Sequence, residues 1–388
     1  HKLLVKKGFK ITSNDEEAGV EQDGFDWFVK NRFSDQMIDL TAAIFTWGSQ
    51  DTKSLKKFYP KHSSKIHMTG SPRVDLWKPF FSNYWSVPKG APLKPFLLVS
   101  SNMAESNGRG FFERYKMKQK LGYYQRGPEA LERDFSQTAE SFLKTYSFIN
   151  ALRILSEKKN DYDIVFRPHP SENIEIWKTY LEDIPNIYVV REGSISAWVS
   201  NAFVVMQEGC TSAIEATINR TPVINYSGFQ EIYYQTKPYS LGFNVNTPDD
   251  LLLKVNSIFK NLESKSQKDV HENLPAIVHD KIYLDKNELA AEKIVNLWET
   301  LDDNSTSKFP NFKMFKLLLK IKKYRKMIGK LRRNLLLNKS KVLNDDEKFP
   351  LLKEDDIQMR VKKFQDILGI EKIKCELLSD RTILIKKQ

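Results

Sequence analysis

Two short stretches carry side chains suited to gripping a phosphate-bearing substrate. The first, "IVFRPHPSE" at 164–172, is an apolar run ending in Arg167, Pro168, His169, Pro170, Ser171 and Glu172. A guanidinium forks onto phosphate oxygens, and an imidazole gives or takes a proton near neutral pH. The flanking prolines fix the backbone that presents them. The second, "VVMQEGCTSAIEA" at 204–216, ends an apolar run in Gln207 and Glu208, turns at Gly209, and opens a helical pattern with Thr211 and Ser212. Hydroxyls and backbone N–H groups at such an opening suit an anion. Glu215, about one helical turn on, is placed to accept from ribose or sugar hydroxyls. Each stretch also has a plainer reading. Arg167 can make a structural ion pair while His169 packs on Trp177, and Thr211 or Ser212 can cap a helix with Glu215 closing a capping box. Their recurrence on successive strands, about forty residues apart, favours a nucleotide-sugar pocket.

Such a pocket needs a parallel sheet whose strand ends meet, because ligands of open α/β sheets bind beyond the carboxyl ends of strands. The chain supplies the pattern. "SDQMIDLTAAIFTWG" reads as a helix running into a strand, and "SSKIHMTGSPRVDLW" as a strand, a Gly70 turn and a helix start carrying Arg73. The Pro-rich "VPKGAPLKP" at 87–95 reads as a linker. Beyond it come a strand at 96–102, a long helix over 129–158, the 163–166 strand, and a strand, turn, helix and strand over 202–226. In the long helix Phe135, Ala139, Phe142, Tyr146, Ile149 and Leu152 share a stripe, which predicts a core-facing side. Asp134 reads by default as a surface acid on that helix and is a further candidate carboxylate. The expected fold is therefore α/β with two Rossmann-like domains and parallel sheets, 1–86 and 96–300, followed by a basic helix at 308–343 and a small helix-plus-strand module at 344–388.

Composition narrows the function. With 388 residues, 40% of them hydrophobic, the chain can build more than one core, and no apolar run reaches the ~20 residues a membrane helix needs. Cys210 and Cys375 are the only cysteines, which fits a reducing cytoplasm. The histidines lack metal-ligand spacing, so neither a metal nor another cofactor is expected. The net charge of +12 is local: thirteen of the 61 bases lie in 308–341, which has no acid, and the remaining 48 face 49 acids. Without a spread basic face or a recognisable nucleic-acid motif, nucleic-acid binding is not expected. The opening "HKLLVKKGFKI" lacks both Met and a signal-peptide pattern and reads as the interior of a longer chain.

"RPHP", "EGCTSAIEA" and "TPVINY", together with "NDEEAG" (14–19), "FTWGSQ" (45–50), "KIHMTGSPRVDLWKP" (65–79) and "KFPLLKEDDIQ" (348–358), resemble the surface carbohydrate biosynthesis proteins, GT-B-type glycosyltransferases of bacterial surface polysaccharide synthesis. The resemblance covers almost the whole chain. It implies two domains with the first β/α units missing, the donor on the second domain, the acceptor entering from the first, and chemistry in the cleft. Arg73, Arg167, His169, Ser171, Glu172, Gln207, Gly209, Thr211, Ser212 and Glu215 would hold the nucleotide sugar. His169, or one of Asp15, Glu16 and Glu17, would serve catalysis without a metal. Such proteins commonly have a His before the Gly-Cys-Thr turn, where this chain has Gln207 and Glu208. An amide at that position cannot shuttle a proton.

Met314, Leu317, Ile321, Tyr324, Ile328, Leu331 and Leu335 form a heptad seam on the basic segment. It suits either a helix partner, hence a homodimer or docking on the body, or an anionic membrane surface, and the lack of acids favours the membrane. The expected protein is thus a cytoplasmic, membrane-peripheral glycosyltransferase acting on a glycan or lipid-linked acceptor. A sugar-nucleotide epimerase, a polyol-phosphate transferase and a non-catalytic assembly factor are the alternatives.

Overall fold

The computed structural model describes residues 2–6, 8–15, 24–108, 111–158, 161–229, 241–263, 278, 281–285, 288–301, 317, 321, 324–325, 328, 351–370, 373–379 and 382–387. The chain divides into two compact units, one of Thr12–Leu301 and one of His1–Ile11 with Asp302–Gln388. The larger unit is an α/β structure with two parallel sheets.

The second unit contains α1 (Lys2–Lys6). The larger unit begins with β1 (Thr12–Asn14), α2 (Gly24–Arg32), α3 (Asp35–Asp39), β2 (Ala43–Thr46), α4 (Ser49–Phe58), β3 (Ile66–Met68) and α5 (Pro72–Asp75). Its first sheet has the order β1-β2-β3, parallel throughout. After 3-10 turns and the 87–95 stretch come β4 (Phe96–Ser100), α6 (Ala104–Asn107), α7 (Phe111–Lys120), α8 (Pro128–Glu157), β5 (Asp163–Arg167), α9 (Ile174–Leu181), β6 (Ile187–Val189), α10 (Ile195–Asn201), β7 (Val204–Gln207), α11 (Ser212–Ile218), β8 (Val223–Tyr226), β9 (Phe243–Val245), α12 (Pro248–Glu263) and α13 (Ala290–Leu301).

The second sheet is parallel, in the order β6-β5-β4-β7-β8-β9. Strand order reverses between β4 and β7, which makes their carboxyl ends the topological switch point. Strands β4, β7 and β8 are buried along their whole length, and for that reason "FLLVS" and "VVMQ" are continuous rather than alternating runs. Pleating still divides their side chains. Leu97 and Val99 join Phe148, Leu152, Phe166 and Trp177 on one face. Phe96 and Leu98 join Trp198, Val205 and Ala213 on the other, in a cluster that continues into Ile44, Trp47 and Ile66 of the first sheet. Truncating the fully buried Leu98 to Ala removes a side chain worth about 2–5 kcal/mol in such a core.

Two expectations are corrected. The boundary at 300 gives 281–301 to the second sheet, yet this segment packs on the first. Tyr283 N donates to Trp47 O at 2.6 Å, Ala291 N donates to Asp75 Oδ2 at 3.2 Å, and Ile294 packs with Ala43 and Phe45. Gly48 and Gly70 make this possible, since a Cβ on either would strike backbone of residues 281–283. The stripe expected to face the core from α8 also lies largely outside: Phe135, Ala139, Phe142 and Tyr146 are exposed, while Asp134, Thr138, Glu140, Ser141 and Lys144 are buried. Paired charges explain the inversion. Asp134, far from being a surface acid, accepts from Lys118 and Tyr124 and lies 3.6 Å from Arg114. Lys144 bridges Glu140 at 3.1 Å and Glu208 at 2.6 Å.

In the second unit, α14 (Glu354–Leu368) adjoins an antiparallel hairpin of β10 (Ile373–Ser379) and β11 (Thr382–Lys387). The 308–343 helix lies mostly outside the described residues. Within it Leu317, Ile321, Tyr324 and Ile328 are helical and exposed.

Candidate functional site

The loops following β4, β5 and β7 are bonded to one another at the switch point. Ser101, just beyond β4, donates from its Oγ to Glu172 Oε2 at 2.7 Å and accepts there from His169 N at 3.2 Å. Asn102 Nδ2 donates to Gly209 O at 3.1 Å, and Ser100 Oγ lies 3.5 Å from Cys210 Sγ. Gly209 has φ 65°, a left-handed conformation that glycine adopts without strain and that turns the chain from β7 toward α11. The partly accessible groups on these loops are Asn102, His169, Ser171, Gly209 and Cys210, and Thr211 is exposed. Behind them stands a second, buried tier: Ser101, Glu172, Gln207, Glu208, Ser212 and Glu215.

Several predicted residues fall in that buried tier, which changes their roles. Glu172 is fully buried. Its carboxylate accepts from Met103 N at 2.6 Å, from Trp177 Nε1 at 2.6 Å and from Ser101 Oγ, so it holds the β4 and β5 loops together instead of touching a ligand. Burial raises its pKa from the ordinary value, against those hydrogen bonds. Trp177, assigned to His169 by the plainer reading, is the indole that binds Glu172 and packs on Phe166. Gln207 is also fully buried. Its Oε1 accepts from Cys210 N at 2.7 Å and its amide donates to Asn225, so it shapes the Gly209 turn and reaches no sugar. Glu208 is held in the buried pair with Lys144.

Arg167 also serves differently from expectation. Its two terminal nitrogens donate to the carbonyls of Glu192 at 2.8 Å and Gly193 at 2.6 Å, bracing the turn before α10 rather than forking onto phosphate. Burial lowers its pKa to about 10, with Glu192 opposing, so it remains a cation at neutral pH. His169 Nδ1 accepts from Ser171 N at 3.2 Å and lies 2.5 Å from Ser171 Oγ. That bond places the proton of the neutral ring on Nε2.

Glu215 is the unusual group. It sits on α11 almost wholly buried, and burial raises its pKa from 4.5 to about 7, opposed by a hydrogen bond from Ser196 and by the positive fields of Arg73 and Arg167. The capping reading is not realised, since Thr211 at the N-cap makes no side-chain capping bond. Instead Glu215 Oε1 and Ser212 Oγ, one turn apart, have no hydrogen-bond partner among the described residues. Buried polar atoms in that condition are rare and costly. Arg73 comes from the loop after β3 and lies over Trp77 at 5.5 Å, so the first sheet sends its cation toward this carboxylate.

No family model matches this chain, and no curated protein matches it. Solved structures are similar at low identity. A Listeria monocytogenes protein assigned as UDP-N-acetylglucosamine 2-epimerase has 14% identity and a TM-score of 0.44 over 79% of this chain and 78% of its own. The UDP-GlcNAc 2-epimerase from Methanocaldococcus jannaschii gives 14% and 0.43 over 77% and 72%. The wall teichoic acid polymerase TagF with CDPG gives 12% and 0.39 over 68% of this chain and 57% of its own.

Of the remaining predicted residues, Asp15 pairs with Arg32 at 2.6 and 3.1 Å beside the end of β1, and its carbonyl accepts from Trp47 Nε1. Glu16 and Glu17 lie outside the described residues. An open depression of about 450 Å³ at β9, lined by Asn244, Asp250 and Lys254 among others, stands two strands from the switch point and holds none of these groups. Sequence reasoning missed Ser101, Asn102, Lys144 and Ser196. The small polar residues after "FLLVS" were the available signal for the first two.

Proposed function

We propose that this chain is a glycosyltransferase that moves a sugar from a nucleotide-activated donor to a cell-surface polysaccharide or lipid-linked acceptor. The observation that carries this reading is the pair of orphaned buried oxygens, Glu215 Oε1 and Ser212 Oγ, beside three bonded strand-end loops at the switch point. A ribose or sugar hydroxyl supplies the donor that Glu215 lacks. Thr211 and the Gly209 turn face the donor's phosphates, and His169, through Nε2–H, gives a proton or hydrogen bond to the leaving phosphate. The cations Arg73 and Arg167 offset the charge gathered there. One of Asp15, Glu16 and Glu17 remains the proposed acceptor base, for which Asp15 must first leave Arg32. The exposed seam residues Leu317, Ile321, Tyr324 and Ile328, on an acid-free basic stretch, support attachment to an anionic membrane face.

The test is turnover of a panel of nucleotide sugars with and without membrane-derived acceptor, read by mass spectrometry of both sugar and nucleotide. Acceptor-dependent release of nucleotide with a glycan gaining one sugar supports the proposal. A changed or freed sugar without acceptor identifies an epimerase, transfer of a polyol phosphate identifies that transferase, and tight binding without turnover identifies an assembly factor.

A further inference from the structure

The exposed stripe of α8 has a spacing that is complementary to itself. Leu131, Phe135, Phe142 and Tyr146 are 41, 53, 56 and 72% exposed, and Ala139 between them is exposed too. At 3.6 residues per turn these five positions fall in a sector roughly 80° wide, running about 22 Å along the helix. The stripe carries no charge. It is separate from the face that packs inward, where Asp134, Thr138, Ser141, Lys144, Phe148 and Leu152 are buried.

Leu131 and Tyr146 lie equally far from the 138–139 peptide, and so do Phe135 and Phe142. A two-fold axis there sets an antiparallel copy of α8 with Leu131 opposite Tyr146 and Phe135 opposite Phe142, each contact made twice. That is the pattern an isologous interface requires. Ala139, beside the axis, lets the two backbones approach.

We propose that the chain self-associates as a two-fold dimer through α8. The four large side chains expose roughly 500 Å² per copy, so pairing buries on the order of 1,000 Å², the lower bound for a specific interface. An apolar patch of that size on a free surface marks an interaction site. The uncharged stripe lets two copies meet without like-charge repulsion. A bilayer surface would instead call for cations alongside the apolar residues. On α8 the one deeply placed cation, Lys144, is committed to Glu140 and Glu208.

Sedimentation velocity on the full chain, from about 1 to 100 μM, is expected to show a monomer becoming a dimer. Phe135→Asp with Phe142→Asp should stay monomeric over that range with unchanged circular dichroism. A short bis-maleimide should cross-link Ala139→Cys above the parent chain's background and leave Leu131→Cys at background. Leu131→Cys combined with Tyr146→Cys should cross-link again. The proposal is overturned by a parent that stays monomeric at all concentrations, by a dimer indifferent to the two Asp substitutions, or by Leu131→Cys alone cross-linking as well as Ala139→Cys. It is equally overturned if a monomeric parent binds phosphatidylglycerol vesicles and the Asp variant does not, which would make the stripe a membrane face.

Discussion

Glu172 and Glu215 are both buried carboxylates set just beyond the strand ends of one sheet, and they differ in how their oxygens are used. Glu172 meets three donors from three places, Ser101, Met103 and Trp177, with both oxygens engaged. Glu215 has Ser196 and the distant fields of two arginines, and its Oε1 has no partner among the described residues. Burial raises the pKa of each. The lesson is that burial alone does not separate a structural acid from a ligand-binding one. A saturated carboxylate ties loops together, whereas an unsaturated one stores an unmade hydrogen bond that a substrate hydroxyl can complete.

The strongest break of the comparison is Glu172→Ala. It strands two N–H groups and a hydroxyl in a buried site, and unfolding free energy should fall by about 3 kcal/mol or more in urea titrations. Glu215→Gln should act in the opposite sense above neutrality. Because the folded-state pKa of Glu215 is raised to about 7 from 4.5, the folded protein holds this proton more tightly than the unfolded chain. Its stability contribution is therefore fully present below about pH 4.5 and is lost as pH rises through 7. The glutamine variant should then exceed the parent by about 2 to 3 kcal/mol at pH 8 and match it near pH 4.5, in urea titrations at both values. The smallest effect sharpens the assignment of Ser196. Ser196→Ala removes the hydroxyl that favours the charged form, so it should cost about 1 kcal/mol at pH 8. In the Glu215→Gln background that cost should shrink, as a double-mutant cycle would show.

Much of the fold was legible because a parallel sheet buried on both faces writes itself as apolar runs closed by Gly or polar turns, as in "FLLVSS" and "VVMQEG". The strand ends and the meeting of their loops followed from that. The division of labour at those ends was not legible, since it depends on partners distant in sequence. Nothing near Arg167 announces that it braces the carbonyls of Glu192 and Gly193, and nothing near Glu172 announces Ser101. The stripe of α8 misled for a related reason. Apolar periodicity was taken as the inward side, but Arg114 and Lys118 neutralise Asp134 and Lys144 neutralises two glutamates, so a polar face can be buried there. The return of 281–301 to the first sheet rests on Gly48 and Gly70, whose local sequence shows a turn and not a close approach.

The central claim is that Glu215 completes its hydrogen bonding on a nucleotide sugar. The most direct measurement is a thermal-shift panel of CMP, CDP, UDP, GDP and their sugar conjugates at pH 7.5, on the parent chain and on Glu215→Gln. One nucleotide class at about a hundred times its dissociation constant should stabilise the parent by roughly 2.7 kcal/mol. The variant, no less stable without ligand, should lose most of that gain. A parent that no nucleotide stabilises, or a variant that keeps the full gain, would contradict it.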